Sequence, residues 1–225
     1  PRSGKEGVEV IYIPVSREGL VDLEKLKAAL NERTVLVSIM HANNETGTIQ
    51  PIEKISEIIR NFRASKRAMS HPEEKPKDLK RFFAGAQNDK MTYPLYPLFH
   101  TDAVQSFQYL DCDVNKLGVD LMTLSAHKIY GPKGIGTLFV RNFKAQMSNQ
   151  AQNPKTLTAI PYTLAPIITG SGQEGGLRSG TDNVPYIVGF AKAVEIAHKM
   201  REKEAKRIGD LRDYFWKKLK NVFQS

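Results

Sequence analysis

One cysteine, Cys112, stands in a chain of 225 residues, so no internal disulfide and no multi-cysteine metal site can form. A reducing, cytoplasmic setting is the expectation from that usage. No run of about 18 apolar residues occurs, so no transmembrane helix is expected. The opening PRSGKEGVEV has no apolar core of the secretory-leader kind, and none is expected there. Apolar residues at 40% and charged residues at 25% exclude a disordered tail, a collagen-like repeat and a disulfide-dense mini-domain. The length suits one substantial domain, or one and a half.

Excess positive charge is confined to two places. Residues 60–81 hold eight basic and three acidic side chains, and residues 192–220 hold ten and five. Together they contribute +10 of a net +9, which leaves −1 for the rest of the chain. A nucleic-acid interface calls for a basic stripe with recognition elements. Solvated helix faces account for this charge better.

The order of elements is legible from periodicity. Residues 8–15, VEVIYIPV, read as a β-branched strand. Asp22 reads as the N-cap of a helix over 22–31, with Leu23, Leu26 and Leu30 at helical spacing. Residues 34–41, TVLVSIMH, form an almost continuous apolar strand of the parallel-sheet kind. Pro51 opens the next helix, whose stripe is Ile52, Ile55, Ile58 or Ile59, and Phe62. Residues 64–95 break the pattern with prolines and charge, and read as a basic surface insertion. Strands follow near 98–103, 120–125 and 136–141, then a Gln-, Asn- and Pro-rich loop over 145–161. From about Val184 to Val222 the spacing is helical, with Gly209 a candidate weak point; one continuous helix of that length spans about 60 Å. Strand and helix in alternation predict an α/β fold: a mostly parallel sheet sandwiched by helices.

Three segments could carry chemistry, and each has a plain alternative. In DLMTLSAHKIYGPKGIGTLFV, residues 120–140, a buried strand ends in Ser125, Ala126, His127 and Lys128. Strand ends are where α/β sheets bind ligands, Ser and His can donate to a phosphate, and Lys can form a Schiff base. A hairpin with a lysine at its tip explains the segment equally well. The GPKGIG turn lacks the Gly-Lys-Ser/Thr ending of a Walker A loop. In HTDAVQ, residues 100–105, Asp102 either caps the next helix or meets a cationic ring nitrogen. In HANNETG, residues 41–47, amides and Glu45 could hold a polar ligand, although turn chemistry is the simpler account. A fourth stretch, TGSGQEGGLRSGT over 169–181, has five glycines in thirteen positions and must be a tight, backbone-rich turn.

Taken in order, HANNETGTIQPI, HTDAVQS, SAHKIYGPKGIGTLFVR and GGLRSGTDNVP closely resemble the cysteine desulfurases. These are fold type I pyridoxal-phosphate enzymes related to the class V aminotransferases. The resemblance covers most of the chain outside the insertion. It implies pyridoxal 5'-phosphate as cofactor and L-cysteine as substrate, with sulfur passed to an acceptor or scaffold protein for iron–sulfur clusters or thiolated tRNA. It implies Lys128 as the catalytic lysine that carries the cofactor as a Schiff base and later takes the substrate's Cα proton. His127 and Ser125 match donors to the cofactor phosphate, Asp102 the partner of the pyridine nitrogen, and Gln105 the donor to the phenolic oxygen. Asn44 matches the amide near that oxygen and the substrate carboxylate. Thr181 matches a residue reaching the neighbouring subunit's cofactor, so a homodimer is implied.

The sequence departs from that family in three ways. Cys112, in LDCDVN, is not at the position of the persulfide cysteine, and Asp111 and Asp113 are expected to disfavour its thiolate. The family's N-terminal phosphate loop and stacking histidine have no counterpart here. The insertion is longer than the family's usual link. The expectation is therefore an internal piece: residues 1–183 an incomplete cofactor-binding large domain, and 184–225 a long helix leading to a small domain. The isolated chain is expected to be inactive. Selenocysteine lyase or another class V relative is an alternative, and so is a truncated, non-catalytic scaffold.

Overall fold

In the computed structural model, residues 8–70, 96–141 and 164–223 are described. Four short strands, β1 (Leu36–Met40), β2 (Leu98–Asp102), β3 (Leu121–Ser125) and β4 (Gly136–Val140), form one sheet in the order β1-β2-β3-β4. The first three are parallel and β4 is antiparallel to β3, so the sheet is mostly parallel, as the alternation predicts. Among the described residues, no helix is long and apolar enough to cross a membrane.

Helix α1 (Leu23–Ala29) starts as its sequence predicts: Asp22 Oδ1 accepts from Lys25 N at 3.0 Å. Helix α2 (Ile52–Ser70) follows β1, with the Pro51 carbonyl accepting from Ile55 N. Its buried stripe is Ile52, Ile55 and Ile59, and it packs with Val37, Phe99 and Met122 of the sheet. Each such side chain contributes about 1.5–3 kcal/mol on burial. Helix α3 (Val114–Leu117) is capped by Asp113 and ends at Gly118, whose φ of 65° is left-handed. A Cβ at Gly118 would lie 2.1 Å from Ser56 Oγ, and that hydroxyl donates to the Gly118 carbonyl at 3.0 Å. Glycine is thus required twice there, by conformation and by space.

A buried ion pair joins α2 to the sheet. Arg63 Nη2 donates to Asp120 Oδ2 at 2.5 Å, and the same carboxylate oxygen accepts from Phe99 N at 2.8 Å. Arg63 Nε also donates to the Pro97 carbonyl.

Helix α4 (Val184–Phe223) is one unbroken element of 40 residues and runs through Gly209. It packs by Phe190, Ala193 and Ala197 against Ala126 and Ile129 of the 3-10 turn Ala126–Ile129 that follows β3. Its far half leaves Leu211, Tyr214, Phe215 and Trp216 exposed.

Two expectations are corrected. Residues 8–15 form no strand: apart from an isolated bridge from Val15 to Val21, the segment has no sheet partner among the described residues, and Tyr12 is 73% exposed. β-Branched residues suit a pleated surface only where a neighbouring strand supplies one. Residues 64–70 are not insertion but the last turns of α2, built from Ala, Ser, Lys and Arg, which a helix accommodates. The rest of the expected insertion, 71–95, and the loop expected over 145–161 lie outside the described residues.

Candidate functional site

Strand alternation sorts the sheet into two faces. One carries Val37, Phe99 and Met122 into the helical core. The other carries Ser38, His100, Asp102, Thr123 and Ser125, with Leu98 and Leu121 beneath them. Register fixes the neighbours: Asp102 stands between Met40 on β1 and Thr123 on β3. The carboxyl ends of the two neighbouring parallel strands β2 and β3 therefore place Asp102, Thr123 and Ser125 along one polar edge.

No helix follows β2 for Asp102 to cap; the chain enters a run of turns, where Asp102 Oδ1 accepts from Val104 N at 2.9 Å. That leaves Oδ2 without a hydrogen bond to any described residue. The local role and an outward role are compatible, one oxygen for each. Gln105 follows in the turn after β2 and is half-buried.

Beyond Ser125 the chain enters the 3-10 turn that holds His127 and Lys128. Ser125 Oγ lies 2.8 Å from His127 Nδ1, which ties the two together. His127 and Lys128 are exposed, while Ala126 and Ile129 on either side are buried under α4. The turn ends at Tyr130 with φ 63°, a left-handed conformation unusual for a tyrosine. So the hairpin alternative is right about the shape: β3 and β4 are an antiparallel pair. The lysine nevertheless sits on an anchored turn rather than a free tip.

Asn44 lies beyond β1, joined to the site through the backbone: His41 N donates to the Asp102 carbonyl at 2.8 Å. The turn reading of HANNETG holds for Asn43, whose Oδ1 accepts from Glu45 N and Thr46 N, with Gly47 at φ 73°. Asn44 itself is exposed. Thr181 is also exposed, and it follows a segment bonded to itself: Ser179 N to the Ile168 carbonyl, and Ser179 Oγ to the Ser171 carbonyl. It shares none of the hydrogen bonds of Asp102, Ser125 or His127. The fold thus brings Asp102, Ser125, His127 and Lys128 to one sheet edge, sets Asn44 and Gln105 on adjoining turns, and leaves Thr181 on a separate stretch.

Two histidines carry information that periodicity did not assign. His41 is 5% exposed, and burial holds its imidazole below the ordinary range against a weaker opposing pull from Glu53. His100, two residues before Asp102, is bonded through Nδ1 to Ser38 Oγ at 2.8 Å. Its place in HTDAVQ, with period-two alternation, was the available signal. Cys112 is 5% exposed, 3.6 Å from His41 Nδ1 and 3.5 Å from Ser106 Oγ. Its thiol is pushed up chiefly by burial; the Asp111 charge adds only a minor part, and Ser106 and Arg201 work against the rise. The expected effect is present, and its main cause is desolvation rather than neighbouring carboxylates.

The family model for class V aminotransferases matches residues 3–66 and 96–224, passing over most of the expected insertion. The chain is 39% identical over 211 residues to the cysteine desulfurase IscS of Dictyoglomus turgidum, covering 94% of this chain and 41% of that protein. It is 42% identical over 209 residues to cysteine desulfurase IscS 1 of Archaeoglobus fulgidus, covering 93% and 41%. It also resembles the mitosomal cysteine desulfurase of Encephalitozoon cuniculi, at 37% identity with 98% and 39% covered. Among solved structures, a NifS-like protein superposes with a TM-score of 0.71 at 36% identity, covering 96% of this chain and 46% of that one. A second NifS-like protein, from Rickettsia africae, gives 0.67 at 30% identity, covering 93% and 45%. The chain spans about two fifths of the length of the curated relatives it matches.

Proposed function

Because this chain belongs to the class V aminotransferase family, we propose that it forms the pyridoxal 5'-phosphate-binding core of a cysteine desulfurase. The observation that carries this reading is the donor set on one sheet edge: a carboxylate at Asp102, a hydroxyl and imidazole at Ser125 and His127, and an amine at Lys128. Their chemistry fits the group. Asp102, whose Oδ2 is bonded to no described residue, suits a cationic ring nitrogen. Ser125 and His127 suit phosphate oxygens, and the Lys128 amine suits an aldehyde carbon.

When bound, the cofactor supplies an electron sink for the pair released at the substrate's α-carbon. Lys128 would hold the cofactor through its amine, and that amine, when free, would accept the α-proton at Nζ. Asp102 would hold a cationic ring nitrogen opposite its carboxylate, Gln105 would donate to the phenolic oxygen, and Asn44 would bind the substrate carboxylate. Thr181, exposed on its separate stretch, would reach the cofactor of a second subunit in a homodimer. L-Cysteine is the substrate, and sulfur leaves toward an acceptor or scaffold protein in a reducing, cytoplasmic compartment. In this reading residues 1–183 are the cofactor-binding domain and residues 184–225 the long helix attached to it. Cys112, buried and with its thiolate disfavoured, takes no part in sulfur transfer, so the chain by itself releases no sulfide.

The test is optical and chemical. Protein mixed with pyridoxal phosphate should turn yellow, and borohydride should fix the cofactor to Lys128, located by peptide mass mapping. A colourless mixture, or labelling scattered over surface lysines, rejects the reading in favour of a non-catalytic scaffold.

A further inference from the structure

Strand β2 sets a second titratable side chain beside Asp102. His100 and Asp102 are two residues apart, so both project from the open face of the sheet. Ser38 is the register partner of His100 on β1, and its hydroxyl occupies one ring nitrogen, 2.8 Å from Nδ1. On β3, Leu121 is the partner of His100 and Thr123 that of Asp102. Met40 flanks Asp102 on β1, and Leu98 precedes His100 on β2 itself. Ser38 and Met40 from β1, and Leu121 and Thr123 from β3, carry no charge. Among the described residues Asp102 is the one charge acting on the imidazole. Partial burial disfavours the imidazolium, the carboxylate favours it, and burial is the stronger of the two.

We propose that His100 is a positioning residue governing the availability of Asp102: neutral and tethered to Ser38, it leaves the carboxylate open to a cationic heteroaromatic nitrogen, and once protonated it becomes the carboxylate's own counter-ion and competes with that ligand. The ligand half rests on the cofactor reading above; the coupling of imidazole to carboxylate does not. The coupling follows from the sheet: a histidine at this register, with a hydroxyl on one side and a leucine on the other, has one ionised neighbour among the described residues.

Two measurements on the purified full chain test it. The His100 ring protons are followed by NMR from about pH 8 to about pH 5 without cofactor, the range where imidazoles titrate. Asp102→Asn, which keeps an oxygen for Val104 N, is expected to lower the His100 midpoint by about half a pH unit, the effect of a solvent-screened charge at this spacing. An unmoved midpoint overturns the proposal. Pyridoxal phosphate binding is then titrated by fluorescence over the same range. Wild-type affinity is expected to fall several-fold as His100 protonates. His100→Gln, able to bond Ser38 but unable to become a cation, is expected to abolish that fall. Binding with an identical acid limb in His100→Gln overturns this proposal alone. No binding at any pH overturns the cofactor reading and the ligand half together, while the NMR coupling stands or falls separately.

Discussion

Ser125 and His127 hold one another, Oγ to Nδ1 at 2.8 Å across a single intervening residue. The bond commits Nδ1 and leaves Nε2 as the ring's one atom for another partner. Ser125→Ala removes a donor and releases the imidazole. Pyridoxal phosphate affinity should fall roughly 10-fold or more, the loss expected for a hydrogen bond to a charged group. Borohydride trapping at Lys128 should persist at saturating cofactor. Equal affinities of wild type and variant in a fluorescence titration mean that neither group meets the phosphate.

The turn that presents Lys128 is pressed against α4 at Gly131. A Cβ there would stand 3.0 Å from the Ala126 Cβ, 3.0 Å from the Ala126 carbonyl oxygen and 3.1 Å from the Ala193 Cβ. Those neighbours are backbone or first side-chain atoms of packed elements and cannot swing aside. Gly131→Ala should cost about 1–3 kcal/mol through overpacking, read as a lower urea midpoint. A midpoint equal to wild type means that the contact between α4 and the turn is looser than it looks.

Arg63 and Asp120 form a pair whose side chains are 13% and 8% exposed. Removing the guanidinium strands a buried carboxylate, so Arg63→Met should destabilise by about 3–5 kcal/mol. Adding Asp120→Asn should recover part of that loss, because the amide oxygen can still accept from Phe99 N without a charge to neutralise. Strictly additive losses in a double-mutant cycle count against the pairing.

Cys112 should be inert. With 5% exposure and burial disfavouring its thiolate, reaction with a thiol reagent should be slow in the native chain and fast in urea. Cys112→Ala should leave borohydride trapping of Lys128 unchanged. Rapid native labelling, or loss of trapping, contradicts the assignment of this thiol to the core.

Burial also gives the fold a pH dependence at His41. Its folded-state value lies below the ordinary one, so the unfolded chain takes up the proton first. Stability is full above the unfolded value of about 6.5 and declines as pH falls below it, until the folded-state histidine also protonates. Urea midpoints measured from neutral to mildly acidic pH should drop in the wild type, and less steeply in His41→Gln. Parallel profiles place the acid sensitivity elsewhere.

How far each feature could be read in advance depended on how local its cause is. The N-cap at Asp22, the stripe of Ile52, Ile55 and Ile59, and the four strands of the sheet are encoded within a few residues, and all formed. Where the surroundings had to be supplied, local signals misled. VEVIYIPV has strand composition but no neighbouring strand among the described residues, and the charged residues 64–70 look like loop although they propagate a helix already nucleated by Ile52–Phe62.

By itself the chain's order of residues determined that an acid would end one buried strand and that a serine, histidine and lysine would end the next, because alternation and strand length are properties of neighbours in sequence. Only the tertiary structure decided that Asp102 would stand level with Thr123, that His100 would bond Ser38 from 62 residues away, and that Cys112 would be sealed against His41. Register sets which side chains share a face, and it arises when whole strands align to bury their apolar sides, a choice no short stretch of sequence makes alone.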